Sequence, residues 1–317
     1  MNIYVRRDYK TVKSAVEAAN DGDIIVIPSG IYKEKINIAK KNLTLVGDGF
    51  VTLTYDAASG NSDENGVEYN TFTSATVTVE ETAVGFKAEN ITFENSYNRI
   101  DSDRAVTQAL AISCGADKSV FHHCNFLGWQ DTMYIHGSET RQFFYDCYIE
   151  GSVDFIFGDA AALFEECDIN CVRSKSYITA ANTSENKEAG FVFYHCYISA
   201  NENCECIYLG RPWRAQDDGI NSHTAFIECT YNFDCAPVGW LPWRLEEGTE
   251  AKNTRYLEYN NTDSHGHLID VSERADWSRQ LTHDEAETLM SYVGKFAEYP
   301  TDEIKTRSIL NLKAYVL

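Results

Sequence analysis

The motif Phe-x-x-Cys occurs five times in the middle of this chain, as FHHC (121–124), FYDC (144–147), FEEC (164–167), FYHC (193–196) and FIEC (226–229). Two residues after each cysteine stands Phe126, Ile149, Ile169, Ile198 or Tyr231, and successive cysteines are 23, 20, 29 and 33 residues apart. One strand-and-bend unit returning at such intervals points to a solenoid, in which each turn stacks on the last and equivalent side chains lie above one another. IVIPSGIY, NLTLVGDG, ATVTV and NITFENS, earlier in the chain, are further short β-rich segments broken by Gly, Asn or Asp, and they supply earlier coils. The expectation is an all-β parallel β-helix that forms a single domain over residues 1–317.

Composition agrees with a large core and narrows the partners. The chain has 317 residues, 44% of them hydrophobic, enough apolar material for a large domain. Its 27 basic and 48 acidic residues give a net charge of −21, and no Lys/Arg-rich run occurs. Nucleic acid and anionic membrane surfaces select basic patches, so neither is expected as a partner. The N-terminal stretch MNIYVRRDYKTVKSAVEAAND has no uninterrupted apolar stretch of the secretory type, and no apolar run is long enough to span a membrane. As written, the sequence reads as cytoplasmic, or as secreted if a leader has been removed, and as a monomer.

Ten cysteines in a large chain without a leader are expected to remain thiols. Zinc is the competing explanation, but the closely spaced pairs are Cys204-x-Cys206 and Cys167-x3-Cys171, with no second pair to complete a tetrahedral site. A ladder of small buried thiols beside a stack of phenylalanines fits better, because free cysteine behaves as a compact hydrophobe.

Two helices are expected as covers for the ends of the solenoid. TVKSAVEAANDG (11–22) puts Val12, Ala15, Val16 and Ala19 on one face and stops at Gly22. Thr282 and Glu285 have capping-box spacing ahead of AETLMSYV (286–293). Residues 232–280 show little alternation and read as loop along the solenoid.

Several polar residues stand where a buried strand should be apolar. In GSVDFIFG (151–158) Asp154 interrupts a run of Val, Phe and Ile, and an unpartnered buried carboxylate costs several kcal/mol or more. Gln130 and Asp131 lie in GWQDTMYIHG, Gln108 in QALAIS, and Arg211 with Trp213 in YLGRPWR. Positions 108, 131 and 154 are each 23 residues apart, one coil period, and so share a face at a strand spacing of roughly 4.8 Å. Two stacked carboxylates repel, so one ionises readily while the other keeps its proton, which is how acid and base roles divide. Singly, each residue has a structural explanation: an aspartate caps backbone N–H groups, a glutamine joins a polar ladder, and Arg-Pro-Trp makes a corner. Their coincidence in one register favours a site.

GWQDTMY, GSVDFIFG, YITA and YLGRPWR, with TFTSATVTV, QALAIS and GIYKEKI, resemble the signature segments of the pectin methylesterases, carbohydrate esterases that de-esterify pectin. The match runs in order from about residue 8 to the GWLPW and YLEYNN segments near 239–261. The resemblance implies a right-handed parallel β-helix with an open groove, acting on methyl-esterified homogalacturonan or oligogalacturonides without cofactor or metal. It implies Asp154 as nucleophile, Asp131 as general acid and base, Gln108 and Gln130 as oxyanion donors, and Arg211 and Trp213 as residues orienting the nucleophile and contacting sugar. Thr71 matches a substrate contact, and Tyr134, Phe157 and Trp240 are implied groove aromatics. The chain departs from the family at Asp159, where Asn is common, and at NNTDSHG, where a Gly-Pro-Gly turn is common.

Pectate lyases and polygalacturonases also use β-helices, but a lyase wants a compact acidic calcium site, which the sequence lacks. No G-x-S-x-G supports a serine esterase. A non-catalytic carbohydrate-binding solenoid would keep the aromatics and have no use for Asp131, Asp154 and Arg211 together.

Overall fold

The computed structural model describes residues 1–97, 105–214, 217–244 and 254–297. Its strands form a parallel β-helix with three faces, and the strand ladders of all three are parallel. A single coil shows the plan. Arg141–Tyr145 lies on the first face, Tyr148–Gly151 on the second and Val153–Gly158 on the third, and each pairs with its equivalent in the coils before and after.

The repeated motif is the corner between the first two faces. Phe121, Phe144, Phe164, Phe193 and Phe226 are in register and their rings stack inside the solenoid with centroids 4.8, 4.6, 4.6 and 4.5 Å apart. The residue just before each cysteine makes the bend. His123, Asp146, Glu166, His195 and Glu228 are all left-handed, with φ of 51°, 50°, 54°, 52° and 52°. Asn90 and Asn260 do the same in coils without the cysteine. The bend leaves carbonyls short of partners, and the thiol supplies a weak donor. Sγ of Cys147, Cys167, Cys196 and Cys229 reaches the carbonyl of Phe121, Phe144, Phe164 and Phe193 on the preceding coil, at 3.4–3.5 Å. All ten cysteines are free thiols. A small apolar side chain with one donor suits this corner, which accounts for the cysteine ladder.

The first helix, α1 (Val12–Ala18), is capped by Thr11 and buries Val12, Ala15 and Val16. It ends four residues before Gly22 because Asp23 takes over the chain: its carboxylate accepts from the Asn20 N–H and the N-terminal ammonium, 2.8 and 2.7 Å away, and Ala19 is already extended. The second helix, α2 (His283–Val293), has the expected Thr282–Glu285 capping box. It does not cover an end of the solenoid. Its Ala286 and Val293 join the outward residues Val120, Phe143, Leu163, Val192 and Ala225 of the first face in a second apolar layer. That face is apolar on both sides, so it needs a cover along its length.

Residues 232–280 are also more regular than their composition suggests. Arg255–Tyr259 and Arg279–Gln280 extend the first face and Thr262–Asp263 the second. The irregular chain between them is fixed by a buried ion pair in which Arg274 Nε donates to Glu258 Oε2 at 2.8 Å.

Candidate active site

Among the described residues the third face is a seven-stranded ladder, and the aspartates, glutamines and arginine singled out in the sequence gather on it. Tyr134 pairs with Phe157 on the neighbouring strand, which sets Asp131 and Asp154 one coil apart in the same register, and the Asp131 N–H donates to the Val153 carbonyl at 3.0 Å. Gln108 departs from the equal spacing. It bridges Gln130, not Asp131, so the two glutamines are neighbours and the two aspartates are neighbours.

Strand Val153–Gly158 is not a regular strand. Its register shifts between Val153 and Ile156, and two consecutive residues, Phe155 and Ile156, both enter the core. Such a bulge re-aims one side chain. Asp154, with φ of 51°, is the residue at the irregularity, and its carboxylate meets Arg211 from two coils further on. Arg211 Nε donates to Oδ1 at 2.9 Å and Nη2 to Oδ2 at 2.6 Å, a bidentate fork. The guanidinium is held between two rings, 4.1 Å from the Tyr177 centroid and 4.3 Å from that of Trp243. Neither aromatic was singled out in the sequence, although Tyr177 opens the YITA segment and Trp243 closes GWLPW.

Both aspartates are buried, 5% exposed at Asp154 and 8% at Asp131. Burial raises both carboxyls above the ordinary range. At Asp154 the hydrogen bonds and charge of Arg211 pull it back. At Asp131 the neighbouring Asp154 charge adds to burial and holds it well above the usual value, against smaller opposing effects of Arg211 and the Gln130 side chain. Asp154 is therefore the first of the pair to ionise and Asp131 the one that keeps its proton.

Phe72, Tyr134 and Trp213 line the outer surface beside the pair, while Phe157, expected in the groove, is buried beneath them. Tyr134 stacks on Phe157 at 4.9 Å and on His136 at 4.3 Å, and Trp213 meets Phe157 edge-on at 5.6 Å. Phe72, beside Thr71, is 46% exposed and lies 4.9 Å from Tyr134. The loop carrying Thr71 and Phe72 is held by Lys35, whose Nζ donates to the Thr73 and Ala75 carbonyls at 2.7 and 2.6 Å. Phe72 was legible as a neighbour of Thr71 in TFTSAT.

Trp240 does not belong to this surface. It is fully buried, its ring tilted against those of Tyr256 at 4.5 Å and Phe226 at 5.8 Å, so it does not line the groove as expected. It bridges Gly210 across the coil, which turns it into the core that follows the phenylalanine stack. Asp159 accepts from the Gly137 N–H at 2.8 Å and its charge acts on Tyr134 and His136. At Asp154 the carboxyl is raised by burial and lowered by Arg211, and Asp159 is not among the groups that act on it.

The pectinesterase family model matches residues 4–298. The chain belongs to the pectinesterase family. It is 36% identical over 292 residues to Pectinesterase 31 of Arabidopsis thaliana, covering 88% of this chain and 86% of that one. Among solved structures, a pectin methylesterase from carrot superposes with a TM-score of 0.75 at 31% identity, covering 90% of this chain and 89% of the other. A pectin methylesterase in complex with a hexasaccharide superposes with a TM-score of 0.75 at 25% identity, over 94% and 97% of the two chains. Pectinesterases remove methyl esters from pectin, and the chain is an enzyme of that class.

Proposed function

We propose that this pectinesterase hydrolyses the C6 methyl ester of galacturonate units with Asp154 as nucleophile and Asp131 as general acid and base, releasing methanol. The observation that carries the reading is the bidentate Arg211–Asp154 pair beside a second buried carboxyl, Asp131, which burial and the Asp154 charge raise well above the ordinary range. The ionised Asp154 oxygen attacks the ester carbonyl carbon, and the carbonyl electrons move onto oxygen. Gln108 and Gln130, paired across the bridge, each carry an amide able to donate to that oxyanion. Collapse expels methoxide, which takes the Asp131 proton and leaves as methanol, and an anhydride links Asp154 to the sugar. Asp131, now a carboxylate, removes a proton from water, and the hydroxide opens the anhydride; Asp154 is restored as a carboxylate, and the free galacturonic acid formed gives its proton to solvent.

Phe72, Tyr134 and Trp213, backed by the buried Phe157, offer apolar faces on which sugar rings can stack while the pair stays dry. Substrate is then a methyl-esterified homogalacturonan segment or oligomer bound along the third face. The net charge of −21 favours highly methylated, nearly neutral chains over charged polygalacturonate. The test is product analysis on esterified pectin. Methanol with no new reducing ends and no unsaturated products supports the reading, while folded protein that binds pectin and frees no methanol overturns it.

A further inference from the structure

On a different corner of the solenoid, His122, His123 and Asp146 bring one donor atom each to within 4.8 Å of one another. We propose that this corner binds a divalent transition metal ion of the zinc class, joining two successive coils. The arrangement follows from the repeat. His122 ends the strand Ser119–His122, and its side chain points outward because Phe121 points in. His123 makes the left-handed bend, which brings the imidazoles of two consecutive residues together with ring centroids 4.7 Å apart. Asp146 makes the same bend one coil later, and its Oδ2 lies 3.3 Å from His123 Nε2. Two adjacent histidines in an ordinary strand point apart; the bend is what lets them share a ligand.

The donor set has the chemistry of a borderline metal. Two imidazoles and a carboxylate suit Zn²⁺, Ni²⁺ or Cu²⁺, and are too nitrogen-rich for Ca²⁺ or Mg²⁺. Three protein ligands leave a position for water. His122 is buried and its ring is stacked 5.5 Å from Tyr145, so one ligand is fixed in place. Glu89 Oε1 lies 3.9 Å from His122 Nδ1 and is the carboxylate placed to orient that ring. His123 and Asp146 are half exposed, so an ion can enter without opening the fold. The ion would tie the FHHC corner to the FYDC corner and stabilise the folded chain, because the unfolded chain does not hold the three ligands together.

The test uses the full-length protein stripped with a chelator and titrated with Zn²⁺ by calorimetry, alongside thermal melts with and without the ion. The expected result is one bound equivalent, a rise in Tm, and loss of about tenfold or more in affinity in both His123→Ala and Asp146→Asn. Co²⁺ as a spectroscopic probe should give visible absorption bands in the parent that disappear in these variants. Neither residue lies near the Asp131–Asp154 pair, so methanol release from esterified pectin should be unchanged and serves to show that the variants are folded. Absence of Zn²⁺ binding in the parent, or binding and a Tm rise that persist unaltered in both variants, overturns the proposal.

Discussion

Asp131 and Asp154 stand in the same register of neighbouring coils, and both backbones are left-handed, with φ of 59° and 51°. Such a conformation costs a non-glycine residue about 1 kcal/mol or more, and aspartate is among the residues that tolerate it. Here the strain falls on two acids that sit next to each other and next to one guanidinium. One carboxyl carries the fork of Arg211 and the other does not. The asymmetry between two chemically identical side chains is what the site is built to produce, and it can be tested from each side.

Asp131→Asn keeps the shape and removes the titration. Methanol release should fall by about 10²–10⁴-fold, the usual size of a lost general acid and base. Stability should move the other way. The folded carboxyl is raised well above its ordinary value of 3.8, so its contribution to stability is complete below that value and is lost as pH rises through the folded pKa. The Asn variant lacks that loss. Its Tm should therefore exceed that of the parent near neutral pH, with the difference vanishing in acid, as melts across a pH series will show.

Asp154→Ala should lose activity and stability together. It abolishes the nucleophile and leaves Arg211, 21% exposed in its side chain and enclosed by Tyr177 and Trp243, without its carboxylate. Breaking a largely buried ion pair from one side costs on the order of 3 kcal/mol. Denaturant unfolding should show that loss, and the double variant Asp154→Ala/Arg211→Met should recover a large part of it without recovering methanol release.

How much of this was visible in the sequence differs between fold and site. The Phe-x-x-Cys spacing contains the stack, the thiol ladder and the corner, because all three depend on neighbours along a single repeat. The even spacing of 108, 131 and 154 holds between the aspartates and breaks at Gln108, because coils vary in length and the bridge runs to Gln130. The aromatic clamp on Arg211 draws Tyr177 and Trp243 from separate coils, and no local pattern marks them as partners. The length of α1 and the course of α2 differ from the sequence expectation because the groups that govern them, Asp23 and the outward apolar residues of the first face, lie outside the helices themselves.

Arg211→Lys should move the pH profile. A lysine cannot reproduce the bidentate fork or the stacking between Tyr177 and Trp243. Arg211 is the influence that lowers the Asp154 carboxyl against the effect of burial, so weakening it lets that carboxyl rise further. The acid limb of kcat/KM, where Asp154 must be ionised, should shift to higher pH, along with a reduced maximum. An acid limb that stays in place while the rate falls would assign Arg211 to substrate binding alone.

Phe72→Ala and Trp240→Ala should separate groove from core. Phe72 is exposed and touches Tyr134 at the edge of the aromatic surface, so its removal takes away a face for sugar and little of the core. KM for esterified oligogalacturonides should rise several-fold with kcat and Tm nearly unchanged, the pattern of lost uniform binding. Trp240 is fully buried between Phe226 and Tyr256, and truncating it opens a cavity worth about 3–5 kcal/mol. Its variant should melt far earlier, and the fraction that stays folded at low temperature should keep the parental KM. A raised KM in folded Trp240→Ala, with an unchanged melting curve, would return that tryptophan to the groove.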